Sequence, residues 1–185
     1  IIVAPCHKDA KWGYVFRDCT IDGNEAAANV KKWGVKLGRP WHHSPKTVYI
    51  HTTMNIPISP EGWANMGAIP ALFAEYDSRD AAGNVLQLDQ RKTEYDGRGE
   101  NAPKGTCRAV ITAEEAATYT YENIIPGTDQ WNPRVMMEKL PAPKGLKRKG
   151  RQLEWKSVKD ATGYIVFSGD RVVGMTRGMY LTRPE

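Results

Sequence analysis

Apolar and polar positions alternate through residues 13–23, "GYVFRDCTIDG". Tyr14, Phe16, Asp18 and Thr20 fall on one side of an extended chain and Val15, Arg17, Cys19 and Ile21 on the other, ending at an Asp-Gly turn. That is the period and the chemistry of a strand. Residues 46–54, "KTVYIHTTM", repeat the form, with Val48, Ile50 and Thr52 opposed to Thr47, Tyr49 and His51. A third short apolar run, residues 71–84, closes in a polar, glycine-containing turn. These runs are rich in β-branched and aromatic residues, and long connections without a convincing helical pattern separate them. Such spacing predicts coils of chain stacked along an axis, each burying its inner face on the next. No repeat is visible in the letters themselves.

One helix is predicted, over "TAEEAATYTYENII". Thr112 stands as N-cap with Glu115 three residues on, the pattern of a capping box. Ala116, Tyr119 and Ile124 would face the body, and "PGTDQWNP" breaks the pattern with two prolines and a glycine. Residues 140–150, "LPAPKGLKRKG", read as a linker into a new unit. Beyond them, "RQLEWKSV" and "GYIVFSGDRVVGMTRGMYL" alternate as strands, with a Gly-Asp turn between Ser168 and Arg171. This C-terminal part resembles the opening strands of a fibronectin type III-like sandwich, with Trp155 and Tyr164 as core aromatics. The expected organisation is residues 1–138 as one domain and 139–185 as a linker and partial antiparallel β unit.

Hydrophobic content of 41% and charge of 25% are ordinary globular values, which argues against general disorder. No apolar run is long enough to span a bilayer. The net charge of +5 is unevenly spread. Residues 1–138 carry 15 Lys+Arg against 17 Asp+Glu, whereas residues 139–185 carry 11 against 4. The basic character belongs to the tail, above all "KGLKRKGR". No nucleic-acid recognition helix or interleaved aromatic platform accompanies it, so it reads as a solvated surface, with attraction to an acidic polymer as the second reading. Of the three cysteines, Cys6, Cys19 and Cys107, no two have CxxC spacing, and Cys19 is expected as a buried thiol. The chain opens "IIVAPCHKDAKWG", with no Met and no basic-then-apolar leader, and is expected to be part of a longer polypeptide.

The most chemically loaded stretch is "GVKLGRPWHHSP", residues 34–45. Its "LGRPW" resembles the active-site signature of the pectin methylesterases, carbohydrate esterases built on a right-handed parallel β-helix. The likeness extends in order through "VAPCHKDAKWGYVFRDCTI", "ISPEGWANM" and "FAEY" to the helix leading into "WNP", covering residues 1 to about 138. The resemblance implies an all-β fold, a right-handed parallel β-helix with one short helix and the appended antiparallel unit. It also implies hydrolysis of methyl esters of galacturonan (pectin) through an aspartate nucleophile, without metal or organic cofactor. It implies export (secreted, periplasmic or cell-surface), since the polymer cannot enter a cytoplasm.

Residue by residue, Arg39 matches the family's arginine, which keeps the nucleophile ionised and aimed. A planar guanidinium grips a carboxylate through two hydrogen bonds, where lysine offers a point charge. Pro40 restricts Arg39 to extended angles. Trp41 offers a flat face to a sugar ring. The resemblance adds Trp63, Met66 and Ser44 as substrate contacts. The family's two catalytic aspartates and its oxyanion-hole glutamines lie N-terminal to the strand with which this chain begins. Asp9, Asp18 and Asp22 do not stand in that context. The chain alone is therefore expected to lack esterase activity and to need the N-terminal half of the same protein as partner.

Two rival readings stand beside this one. His42, His43 and His51 suggest a metal site, but neighbouring histidines on an extended segment point to opposite faces, and no H-x-H or HExxH spacing occurs. A non-catalytic β-helix module that binds carbohydrate, or is purely structural, would keep the tryptophans without the carboxylates.

Overall fold

A computed structural model describes residues 1–24, 34–136 and 140–182. The molecule is built mostly of strands with a few short helices, and it divides into two compact units, Ile1–Gln130 and Trp131–Glu185. The expected boundary between residues 138 and 139 lies outside the described residues.

In the first unit, β1 (Tyr14–Arg17), β3 (Lys46–Ile50) and β5 (Leu72–Tyr76) form a parallel sheet in the order β1-β3-β5. Three shorter strands, β2 (Thr20–Ile21), β4 (Thr53–Met54) and β6 (Arg79–Asp80), form a second parallel sheet in the order β2-β4-β6. Parallel bridges link Val3 to Gly38, Gly38 to Trp63, and Val35 to Ile58. Each predicted strand is thus two strands joined by a bend. The bends fall at Asp18, His51 and Asp77, whose φ values are 53°, 49° and 48°. The Asp18 amide donates to the Ile50 carbonyl and the His51 amide to the Tyr76 carbonyl, so the bends stack in register. Short polar side chains tolerate this left-handed conformation better than branched ones. The bend resets the alternation, and a single period cannot run through 13–23.

The central sheet is covered on both faces, which explains its nearly continuous apolar runs. On one face Tyr49 and Phe73 join Leu37, Met54, Trp63, Tyr95 and Cys107 in a buried cluster. Phe16 stacks flat on Tyr49 with ring centroids 4.5 Å apart, and Trp63 lies 4.8 Å from Phe73. On the other face Val48, Ile50, Leu72 and Ala74 pack with Ile111, Ala116 and Tyr119. That second layer comes from α1 (Ala113–Ala117) and the residues around it. Thr112 caps α1 in a complete capping box with Glu115. The predicted single helix is in fact two, because the chain leaves the helix at Thr118 and Thr120 caps α2 (Tyr121–Ile124) anew. Ala116 and Tyr119 are buried against the body and Ile124 packs beside them, as expected. Before them, β7 (Glu94–Asp96) and β8 (Lys104–Thr106) pair antiparallel.

The thiol assignment needs correcting. Cys19 is only half-buried, its Sγ 3.3 Å from the Arg17 carbonyl, whereas Cys107 is the buried cysteine and accepts the Phe73 amide at 3.0 Å. Burial pushes the Cys107 thiol pKa up.

The second unit begins with α3 (Pro133–Met136). The strands β9 (Lys147–Lys149), β10 (Gln152–Glu154) and β13 (Tyr180–Thr182) form an antiparallel sheet in the order β13-β10-β9. The basic end of the expected linker is therefore itself a strand, with all three residues of β9 exposed. β11 (Tyr164–Ser168) and β12 (Arg171–Thr176) pair as a hairpin, with Gly169 at φ 60° in the predicted turn. Trp155 is buried and meets Tyr164 edge-on at 5.3 Å.

Candidate active site

The segment 37–41 is held on both sides by backbone hydrogen bonds. The Leu37 amide donates to the Gly62 carbonyl and the Ala64 amide to the Gly38 carbonyl on one side; the Arg39 amide donates to Val3 and the Trp41 amide to Pro5 on the other. Leu37 and Pro40 are fully buried and anchor the segment. A Cβ on Gly38 would meet the Val3 side chain at 3.1 Å and the Trp63 ring at 3.2 Å. The glycine of "LGRPW" is thus the place where the backbone runs close over an indole.

That framework brings Arg39 and Trp41 together. The Arg39 guanidinium carbon lies 6.0 Å from the centroid of the Trp41 ring, at the outer limit of a cation–π contact. Trp41 is 44% exposed. Arg39 Nε is buried and has no hydrogen-bond partner among the described residues. An unsatisfied buried donor carries a desolvation penalty of about 1–3 kcal/mol, more on a charged group. Among the described residues Arg39 is in no interior ion pair.

Of the other expected contacts, Trp63 lies apart. It has no exposed surface and its ring packs between Tyr49, Phe73 and Gly38, so it offers no face to a sugar. Its place in the expected substrate set is corrected to that of a floor beneath the Arg39-bearing segment. Met66 is half-buried, and its carbonyl accepts from Arg98 Nε and Nη2, both at 3.3 Å. Ser44 is exposed at φ 64°, with its amide donating to the Ile69 carbonyl at 2.7 Å. Among the described residues, no hydrogen bond or ion pair joins the Met66 or Ser44 side chain to Arg39 or Trp41.

Two features escaped the sequence. His42 and His43 line one cavity, because the chain bends through 41–44 where an extended segment was expected. Ser44 in the left-handed region is what that reading lacked. The second feature is Arg91, whose buried guanidinium bonds to Glu75 and to the carbonyls of Ser59 and Pro60, tying "ISPEGW" to "FAEY". Glu75 and the burial of Tyr49 together hold that phenol protonated, with burial the larger influence. Among the described residues no three of His, Cys, Asp and Glu are grouped so as to hold a metal ion, and no helix is long and apolar enough to cross a membrane.

Comparison with known proteins adds lineage to this geometry. The family model described as Pectinesterase matches residues 2–128. The chain is similar to "Probable pectinesterase/pectinesterase inhibitor 58" of Arabidopsis thaliana, 31% identical over 101 residues, covering 52% of this chain and 17% of that protein. It is similar to "Putative pectinesterase 63" of the same plant, 37% identical over 65 residues, 34% of this chain and 17% of the relative. A "Pectinesterase" of Petunia integrifolia is 34% identical over 88 residues, 43% of this chain and 23% of the relative. The matched region thus spans 17–23% of the length of these relatives.

Proposed function

Because this chain belongs to the pectinesterase family, whose members are carboxylic ester hydrolases, we propose that it carries the arginine and sugar-stacking side of a site that hydrolyses methyl esters of galacturonan. The observation that carries the reading is the state of Arg39, a buried Nε, unpartnered among the described residues, on a guanidinium that also reaches an exposed indole.

In the proposed reaction an ionised carboxylate attacks the ester carbonyl, and a second, protonated carboxyl gives its proton to the departing methanol. Water then cleaves the acyl intermediate and returns a proton to the second carboxylate. Arg39 pairs with the attacking carboxylate, keeps it ionised and aims it. Trp41 receives the sugar ring. Ser44 and Met66 serve as outer contacts along the galacturonan chain. Trp63 acts through Gly38 and not on substrate.

The two carboxylates are assigned to a preceding part of the same protein, stacked on the edge of β1, which among the described residues pairs with β3 alone. An uncovered edge of this kind is a template for further pairing. On this reading the parallel ladders are rungs of a right-handed parallel β-helix, residues 1–138 are its C-terminal part, and the second unit is the start of a fibronectin-like sandwich. The protein acts outside the cytoplasm, where its polymer is.

The test is Arg39→Lys in the polypeptide that includes those carboxylates, assayed by methanol release. A kcat lower by orders of magnitude with an unchanged far-UV spectrum supports the role; near-normal turnover overturns it.

A further inference from the structure

The loop at residues 64–69 runs alongside the segment that carries Arg39 and Trp41 and is bonded to it at both ends. At one end the Ala64 amide donates to the Gly38 carbonyl at 2.9 Å. At the other the Ile69 amide donates to His43 Nδ1 at 3.1 Å, and the Ser44 amide donates to the Ile69 carbonyl at 2.7 Å. Met66 lies between these two fastenings.

The loop is also held by the hairpin β7–β8 and the turn that joins its strands. Asn65 Nδ2 donates to Asp96 Oδ2 at 3.0 Å. Arg98 donates from Nε and Nη2 to the Met66 carbonyl, both at 3.3 Å. Gly67 has φ 74°, and a Cβ there would collide with the Arg98 side chain. A Cβ on Gly105 of β8 would meet Ile69 Cγ2 at 2.8 Å. Both glycines therefore mark a close approach of loop and hairpin. The Gly97 amide closes the turn of the hairpin by donating to the Pro103 carbonyl at 2.7 Å.

We propose that Arg98 is a positioning residue for substrate capture, acting through this loop and not on the polymer itself. The inference rests on the galacturonan reading above. A planar guanidinium that offers two N–H groups to one carbonyl fixes its place more closely than a point charge would. Arg98 thereby sets Met66 and Gly67, and the loop passes that placement through Ile69 to the bend at 42–44, which follows Trp41 directly. Arg39 depends on the hairpin far less. Its segment is anchored by the fully buried Leu37 and Pro40 and rests at Gly38 on the Trp63 ring. The hairpin therefore governs how the sugar chain is held and leaves the cleavage step to the guanidinium and its carboxylates.

The test compares Arg98→Ala with the unaltered protein, in the polypeptide that includes the two carboxylates, by methanol release and by amide hydrogen exchange. We expect KM for methyl-esterified galacturonan to rise about tenfold while kcat stays within about twofold. Exchange at the Ile69 and Ser44 amides should quicken by about tenfold. Val48 in the central sheet and Gly97 in the hairpin should keep their rates. Arg98→Lys keeps the charge without the fork and should resemble Arg98→Ala in both readouts. A normal KM in Arg98→Lys would mean that charge alone matters, and it overturns the positioning role. So does an unchanged KM in Arg98→Ala, or a raised one without faster exchange at Ile69 and Ser44. Equal quickening at Gly97 and Val48 overturns it too, as a general loss of structure. If the unaltered protein releases no methanol, the galacturonan reading falls by itself, and the exchange pattern decides whether Arg98 sets the loop.

Discussion

Arg91 donates from Nε to Oε1 of Glu75 across 2.6 Å, with Glu75 fully removed from water and the Arg91 side chain 4% exposed. The same guanidinium donates from Nη1 to the carbonyls of Ser59 and Pro60. One side chain thus closes the turn before Trp63 and neutralises the charge that β5 carries inward. Removing one member of a buried pair leaves the other charge unpaired, which costs about 3–5 kcal/mol. Glu75→Gln should therefore lower stability by about 3 kcal/mol or more. Glu154→Gln in the exposed Lys149–Glu154 pair should cost under about 1 kcal/mol. Urea unfolding midpoints of the two variants check the contrast.

The same contact explains a glycine. Gly62 has φ 65°, and a Cβ there would meet Arg91 Cδ at 2.5 Å. Gly83 has φ 86° with nothing within 4 Å of such a Cβ. Alanine at either position meets backbone strain of about 1–2 kcal/mol, but only Gly62→Ala also displaces the buried arginine. We expect Gly62→Ala to be the worse by a further ~1–3 kcal/mol, measured as the difference between the two melting curves.

These two contacts also mark what could be read in the letters. The paired strands, the capping box at Thr112 and the Gly-Asp hairpin turn were legible because each depends on neighbours in sequence. The bends at Asp18, His51 and Asp77 were not, because a left-handed residue interrupts an alternation without altering its composition. The Arg91–Glu75 pair joins residues from different rounds of the chain, and no local pattern announces it. At the site, the meeting of Arg39 and Trp41 follows from their adjacency across Pro40. Trp63 misled because an indole in a polar loop looks the same whether it faces a ligand or lies under a glycine; only the bridge from Gly38 to Trp63 separates the two.

Glu115 links α1 to Arg108 and gives the fold an acid-sensitive joint. Arg108 grips both carboxylate oxygens, Nη1 to Oε2 at 2.8 Å and Nη2 to Oε1 at 2.6 Å, and the Thr112 amide donates to Oε2 at 2.9 Å. These bonds, Arg108 first, hold the carboxyl pKa below its ordinary value. A depressed folded pKa means the stabilisation is complete above the unfolded value, about 4.3 for glutamate, and is lost as pH falls through the folded one. Asp77, lowered chiefly by its bond to His51 and then by Arg79, acts in the same sense. Melting temperature should therefore fall on acidification below about pH 4. In Glu115→Gln that fall should be shallower, with a lower melting temperature already at neutral pH. An unchanged slope would remove Glu115 from the account.

If Trp63 supports Arg39 from beneath, a smaller ring there should loosen the site before it unfolds the protein. Trp63→Phe keeps an aromatic against Tyr49 and Phe73 but withdraws the atoms that lie 3.2 Å from a Cβ position on Gly38. A cavity of that kind costs about 1–3 kcal/mol. Its local effect should appear in two amides, that of Arg39, which donates to Val3, and that of Ala64, which donates to Gly38. Hydrogen exchange at both should quicken well beyond the change at Val48, which sits in the central sheet away from the indole. Uniform acceleration across all three amides would mean that Trp63 merely fills the core. Selective acceleration at Arg39 and Ala64 would place it in the machinery that aims the guanidinium.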